Sequence, residues 1–175
     1  MKDERWMAEA LKLARQAALR GEVPVGCVIV CGEEIVGRGS NSRETGKNAL
    51  HHAELLAIDE ACRNLGGWRL WHCTLYVTLE PCPMCAGAIL NARILRLVYG
   101  AADRKAGACG TNINLMQTPN YPHPEVCAGV LETECSGLLQ EFFQKLRLDP
   151  KPKIDWRARR REKLTELREK QNAEQ

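Results

Sequence analysis

The chain has 175 residues, of which 45% are hydrophobic, a length and composition that suit one domain with a single core and a short appendage. No apolar run approaches the roughly 20 residues that cross a bilayer, and the charged N-terminus, residues 1–5, is unlike a secretion signal. We therefore expect a cytoplasmic protein with no membrane partner.

Hydrophobic spacing predicts a helix and then a hairpin in the first part of the chain. Apolar residues recur at intervals of three and four over residues 3–20, and Gly21 ends this pattern. Two β-rich runs, 25–31 and 35–39, flank a turn, which is typical of a hairpin. The polar residues 40–50 predict a loop.

Strands and helices then alternate. The sequence predicts helices over 52–64 and from Pro81 to about Asn91, strands over 73–79 and 94–99, a glycine-rich loop over 100–110, and a helix over 136–147. This alternation predicts a layered α/β domain, and the hairpin requires the sheet to be mixed because hairpin strands cannot be parallel.

The end of the chain carries the excess charge. Residues 149–175 hold nine Lys and Arg against six Asp and Glu, whereas the remaining 148 residues hold sixteen of each. We predict a domain over 1–148 and a charged helical extension over 149–175, with a hinge at Pro150 and Pro152 and the helix over 156–172. The basic run 157–161 could bind phosphate, but a solvated helix fits equally well, since glutamates follow at helical spacing.

Nine cysteines are present, an odd number in a chain that lacks the features of a small secreted disulfide scaffold. We interpret most of them as small buried hydrophobic residues. Cys27 and Cys31 would share one face of a strand, where a core role is favoured over a redox or incidental metal role. Only Cys82 and Cys85 have the spacing of metal ligands.

Two short patches carry the chemistry: His52-Ala53-Glu54 and Pro81-Cys82-Pro83-Met84-Cys85. One imidazole and two thiolates suit zinc and leave its fourth tetrahedral position open, as in catalytic sites. Both patches start predicted helices, so the three ligands converge if the two helix starts face each other. Glu54 would then be a proton carrier for a water that zinc activates. H-x-E followed by P-C-x-x-C is a signature of zinc-dependent nucleobase deaminases.

Other interpretations of these patches are weaker. A structural zinc needs a fourth protein ligand, for which His51 is the nearest candidate. A protein with such a zinc would be an RNA-binding module that catalyses no reaction. A redox role for Cys82 and Cys85 leaves His52 and Glu54 unexplained.

Longer matching segments extend from about Trp6 to Arg147. They include Glu22 to Gly26, Gly39 to Asn41, His52 to Glu54, Thr74 to Ile89, Tyr99 to Ala101, Asp103 with Lys105 and Gly107, and Phe142-Phe143. In these segments the sequence resembles the bacterial tRNA-specific adenosine deaminases, a group within the cytidine-deaminase-like proteins that converts the wobble adenosine of an anticodon to inosine.

The resemblance implies a three-layer α/β/α sandwich around a five-stranded mixed sheet, one Zn²⁺ per subunit, a homodimer, and an anticodon stem-loop, that of arginine tRNA, as partner. His52, Cys82 and Cys85 would bind zinc, and Glu54 would be catalytic. The implied substrate-binding residues are Asn41, Val23, Pro24, Leu79, Ala53, Asp103, Lys105, Phe143, Lys145 and Arg147. The alternative function is deamination of a free nucleobase or nucleoside, such as guanine or cytosine.

Several implied contacts have simpler explanations. Asn41 alone would be an ordinary turn residue, Val23-Pro24 could start a strand, and Asp103 with Lys105 could form a solvated loop.

Overall fold

The computed structural model describes residues 2–149 and 155–173. The chain divides into two compact units, Met1–Gln144 and Lys145–Gln175. The predicted division at residue 148 stays a prediction, and the predicted hinge at Pro150 and Pro152 lies outside the described residues. No helix among the described residues combines the length and the apolar character that crossing a membrane requires.

The helices and strands follow the predicted order. They are α1 (Lys2–Leu19), β1 (Gly26–Cys31), β2 (Glu34–Ser40), α2 (Ala53–Leu65), β3 (Cys73–Leu79), α3 (Pro83–Asn91), β4 (Arg96–Ala101), a 3-10 turn (Leu115–Gln117), β5 (Glu125–Cys127), α4 (Glu132–Leu148) and α5 (Trp156–Ala173).

Five strands form one sheet in the order β2-β1-β3-β4-β5. β1 pairs antiparallel with β2 and β3, whereas β3, β4 and β5 run parallel. α3 supplies the crossover that a parallel β3–β4 pair needs. The prediction of a mixed five-stranded sheet is confirmed.

Alternating residues of the strands pack into two separate hydrophobic cores, one on each face of the sheet. On one face, Ala57 of α2 and Ile89 of α3 pack with Ile29 and Leu75 of the sheet. On the other, Met7 of α1 and Cys135 of α4 pack with Val28. The three-layer α/β/α arrangement is therefore present. Most cysteines lie in these cores or against them, as predicted.

Most predicted boundaries hold to within two residues, and three differences have a clear physical reason. β4 begins at Arg96 rather than Ile94, because the Ile94 amide still donates to the carbonyl of Ile89 at the end of α3. α4 begins at Glu132, four residues earlier than predicted, directly after Leu131, whose φ is 52°. β5 was not predicted from the residues, because three residues are too short to show alternation.

Candidate active site

α2 places His52 at the end of the sheet where β2 finishes. His52 is the N-cap residue of this helix, with extended backbone angles and no side-chain capping bond. Its carbonyl accepts a hydrogen bond from the Leu56 amide at 3.2 Å. α2 lies very close to β2: a Cβ added to Gly39 would be 1.9 Å from the Ala53 carbonyl oxygen. The glycine therefore fixes the depth at which the helix start meets the sheet.

α3 places the two cysteines in the same way. Cys82 is its N-cap residue, again extended and without a side-chain cap, and Pro83 occupies the first helical position. Proline fits there because its fixed φ is helical and the first amide needs no partner. Cys85 follows in the first turn, on the same side of the helix as Cys82.

The three side chains converge. His52 Nδ1 lies 3.7 Å from Cys82 Sγ and 3.5 Å from Cys85 Sγ, and all three ligand atoms lie within 4.8 Å of one another. A tetrahedral zinc with ordinary Zn–N and Zn–S bonds separates its nitrogen and sulfur ligands by about 3.5 Å. The donor set and its spacing therefore fit such an ion.

The electrostatics of this cluster are strongly coupled. A hydrogen bond with the Cys85 thiol lowers the pKa of Cys82 to about 4, and the same pairing raises the pKa of Cys85. The hydrogen bond with Cys82 raises the pKa of His52. The pair thus favours a thiolate at Cys82, the form in which cysteine binds metals.

Glu54 lies beside the cluster but is not one of its three converging ligands. Its side chain is only 4% exposed, and this burial raises the pKa of its carboxyl group. A raised pKa makes this carboxylate a stronger proton acceptor than an exposed one, which suits general acid–base work.

A cavity of about 230 Å³ opens beside the cluster. This size suits a single ring system rather than a large ligand. Its lining residues are Val23, Val25, Asn41, Arg43, His52, Ala53, Glu54, Leu79, Glu80, Cys82, Asp103 and Ala106. Five of the predicted substrate contacts, Val23, Asn41, Ala53, Leu79 and Asp103, are thus brought together around the candidate proton carrier.

Other predicted contacts lie elsewhere. Pro24 is buried and does not line the cavity, and the Lys105 amide donates to the Asp103 carboxylate in a tight turn. Phe143 is exposed and stacks edge-to-face on Phe142. Lys145 and Arg147 are exposed in the last turn of α4, within the second unit.

Four lining residues were not predicted: Val25, Arg43, Glu80 and Ala106. Val25, Glu80 and Ala106 directly adjoin the predicted site residues Pro24, Leu79 and Lys105 in the sequence, so their positions could have been inferred. Arg43 lies in a loop whose path depends on long-range contacts, and no local pattern identifies it.

Comparisons with known proteins agree with this geometry. The family model described as MafB19-like deaminase matches residues 1–147. A tRNA-specific adenosine deaminase of Bacillus subtilis (strain 168) is 53% identical over 146 residues, which cover 83% of this chain and 91% of the relative. This chain belongs to the tRNA-specific adenosine deaminases. A relative of the same description from Haemophilus influenzae is 46% identical over 151 residues, covering 85% of this chain and 87% of its own.

Solved structures place the fold in the same group of deaminases. One, from work on A-to-I editing by tRNA:A34 deaminases at the wobble position of transfer RNA, has a TM-score of 0.74 and 43% identity, covering 77% of this chain and 99% of its own. A guanine deaminase from Nitrosomonas europaea has a TM-score of 0.67 at 24% identity over 79% of this chain and 83% of its own, which supports the fold alone. The predicted family membership is confirmed.

Proposed function

We propose that this deaminase hydrolyses adenosine to inosine at the wobble position of a tRNA anticodon loop and releases ammonia. One observation carries the proposal: the buried carboxyl group of Glu54 lines the same cavity as His52 and Cys82, two of the three residues whose ligand atoms converge. Family membership supports the choice of tRNA adenosine as the substrate, since the relatives are described as tRNA-specific adenosine deaminases.

We propose that His52, Cys82 and Cys85 hold one Zn²⁺ per subunit. Three protein ligands leave one tetrahedral position open, and a zinc ion bound there would make the attacking water more acidic. Glu54 is kept out of the ligand set by its position, so its carboxylate oxygens remain available to move protons.

The protein's own groups then account for the proton transfers. A carboxylate oxygen of Glu54 accepts a proton from the attacking water and delivers it to N1 of the adenine ring as oxygen adds to C6. Glu54 next takes the proton of the new C6 hydroxyl group and passes it to the departing amino group, so that ammonia leaves as the C6–N bond breaks and the C6 oxygen becomes the carbonyl of inosine. Adenosine and water thus become inosine and ammonia, and Glu54 ends in its starting state.

The anticodon loop suits this site because its bases are single-stranded and can be turned into a pocket at modest unstacking cost. We propose that Val23, Pro24, Ala53 and Leu79 form the wall around the base and that Asn41 hydrogen-bonds the nucleotide. The proposed contacts to the flanking RNA are Asp103, Lys105, Phe143, Lys145 and Arg147.

We further propose a homodimer that acts on arginine tRNA in the cytoplasm, where its substrate is found. The deaminase domain would comprise residues 1–148, and residues 149–175 would form an appended helix. Light scattering of the purified protein tests the dimer, since one chain has a mass of 19.6 kDa.

The proposed reaction is tested with unmodified arginine tRNA and its anticodon stem-loop, which should both gain inosine at the wobble position. Free guanine, cytosine and adenosine serve as competing substrates, and preferential turnover of a free base would reject the tRNA assignment. Cys85→Ser should lose zinc and activity together. Cys62→Ser is the matched control, because Cys62 lies on α2 outside the converging cluster.

A further inference from the structure

Two buried glutamates take no part in the proposed reaction. Glu22 is 1% exposed and Glu80 is 2% exposed. Glu22 lies between α1 and β1, and Glu80 directly follows β3, so both stand at the end of the sheet that carries the cavity. Burying a carboxylate is costly unless it is paired or hydrogen-bonded, and its bonding partners therefore indicate what it does.

Glu80 uses both of its oxygens to hold one loop. Oε2 accepts the Asp103 amide at 3.1 Å, and Oε1 accepts the amides of Cys109 and Thr111 at 3.0 and 3.1 Å. These three donors span the loop between β4 and the 3-10 turn, residues 102–114, here named the second rim loop. Gly107 packs closely against the same carboxylate, because a Cβ there would lie 2.3 Å from Oε2.

Glu22 holds a different loop, residues 41–51 between β2 and α2, here named the first rim loop. Its Oε1 accepts the Thr45 amide at 2.7 Å and the Thr45 hydroxyl at 2.8 Å. Its Oε2 accepts the Glu44 amide at 3.3 Å and the Asn41 side-chain amide at 3.4 Å. The bonds on this second oxygen are longer than those of Glu80.

Both loops contribute directly to the cavity. Asn41 and Arg43 of the first rim loop and Asp103 and Ala106 of the second line it. Neither loop has an α-helix or strand of its own to fix its path, so its backbone amides depend on other partners. Three residues of each loop bond to the buried carboxylate, and each of them either lines the cavity or lies within five positions of a residue that does.

We propose that Glu22 and Glu80 are positioning residues, each of which holds one of the two loops that form the rim of the substrate cavity. The inference rests on the proposed function for its substrate, the anticodon stem-loop. Glu80 itself lines the cavity, but neither carboxylate touches the reacting atoms in this scheme. They act through the rim loops and set how well the nucleotide and its neighbours are bound.

Exchange of each carboxylate for an amide tests the proposal, because glutamine keeps the size but converts one acceptor into a donor. In Glu80→Gln, either orientation of the amide turns an NH₂ group toward a backbone N–H at 3.0–3.1 Å. In Glu22→Gln, the NH₂ group can take the Oε2 side, where the contacts are longer. We therefore expect the larger effect from Glu80→Gln.

Two measurements are made on the zinc-loaded full chain: amide hydrogen exchange and steady-state kinetics with the stem-loop. Glu80→Gln should speed exchange at Asp103, Cys109 and Thr111 only, and Glu22→Gln at Glu44 and Thr45 only. We expect KM to rise about tenfold for Glu80→Gln and about threefold for Glu22→Gln. The kcat should stay within about threefold, because the proton carrier and the ligands lie on α2 and α3.

Glu60→Gln is the matched control. The Glu60 side chain also accepts a backbone amide, that of Arg38 at 2.7 Å, but it does not line the cavity. Its KM should equal that of the unchanged protein. Should Glu80→Gln fail to fold, Glu80→Asp keeps the charge but withdraws the carboxylate from the second rim loop by one methylene, and should open the same amides.

Faster exchange in both loops at once, or a fall in kcat with KM unchanged, would mean that the glutamates only support the fold and would overturn the proposal. Unchanged exchange in the loop that each glutamate contacts would overturn it as well. The exchange data do not depend on turnover. A protein that forms no inosine from tRNA would reject the proposed function while still reporting whether each carboxylate holds its loop.

Discussion

The substitution Gly39→Ala tests whether the close packing of α2 on β2 positions the zinc ligand His52 and the proton carrier Glu54. Gly39 is buried in β2, and an added Cβ would lie 1.9 Å from the Ala53 carbonyl oxygen and 2.8 Å from the Ala57 amide nitrogen. Ordinary contact begins at 3.4 Å, so the helix start must move away by about 1.5 Å. Ala53 stands between His52 and Glu54, and both must move with it.

The expected cost has two parts. Overpacking of this kind destabilises a protein by about 1–3 kcal/mol, which lowers Tm by roughly 2–4 °C per kcal/mol in a chain of this size. Misplacement of catalytic groups by about 1 Å can cost on the order of a hundredfold in rate. We therefore expect the turnover of Gly39→Ala to fall far more than its stability explains.

Thermal unfolding, zinc content and inosine formation on the stem-loop are measured together. Gly67→Ala is the control: Gly67 follows α2, and an added Cβ would meet no atom within 4 Å, so its effect should stay within about 0.5 kcal/mol. If Gly39→Ala kept the Tm and the turnover of the unchanged protein, α2 could not rest on β2 as closely as the structure shows, and the close approach could not be what positions His52 and Glu54.

Three more perturbations have defined outcomes. Glu54→Gln should keep its zinc and lose about 10²- to 10⁴-fold in turnover, so substantial activity would remove Glu54 from the reaction. Hydrogen bonds from Arg96 at 2.9 Å lower the pKa of Asp3 below 3.8. Asp3→Asn should therefore reduce the free energy of unfolding at pH 7 but not well below pH 3.8, since a depressed pKa stabilises only while the group is ionised; a difference independent of pH would contradict this. Removing residues 151–175, with the exposed arginines of 157–161, should flatten the salt dependence of stem-loop binding by about 0.7 in slope for each phosphate that the extension neutralises. An unchanged slope would mean that the extension does not contact the RNA.

The elements predicted well are those whose own residues carry the pattern. Residues 73–79 form a strand with the predicted bounds because β-branched and aromatic residues fill a run that is buried on both faces. Residues 125–127 form their short strand through pairing with a distant segment, as Val126 pairs with Leu97. No local pattern in the sequence could have indicated it.

The same distinction separates the parts of the site. The ligands and the proton carrier lie in two compact motifs at helix starts, so spacing alone could bring them together. The rim of the cavity depends on buried carboxylates that bond loops 19 to 31 positions away in sequence, as Glu22 does with Asn41 and Glu80 with Thr111. Sequence spacing gives no sign of such pairs, which is why Arg43 was missed.

Both ligand-bearing helices also start without the usual signal for a helix start. An N-cap serine, threonine, aspartate or asparagine accepts a first-turn amide and contributes about 1 kcal/mol, but His52 and Cys82 occupy these positions without such a bond. The side chains are thereby left available as ligands, and the positive end of each helix dipole favours thiolate and carboxylate beside it. The loss of capping stability and the convergence of ligands thus have one cause, because a residue that caps its own helix could not also reach across to the other.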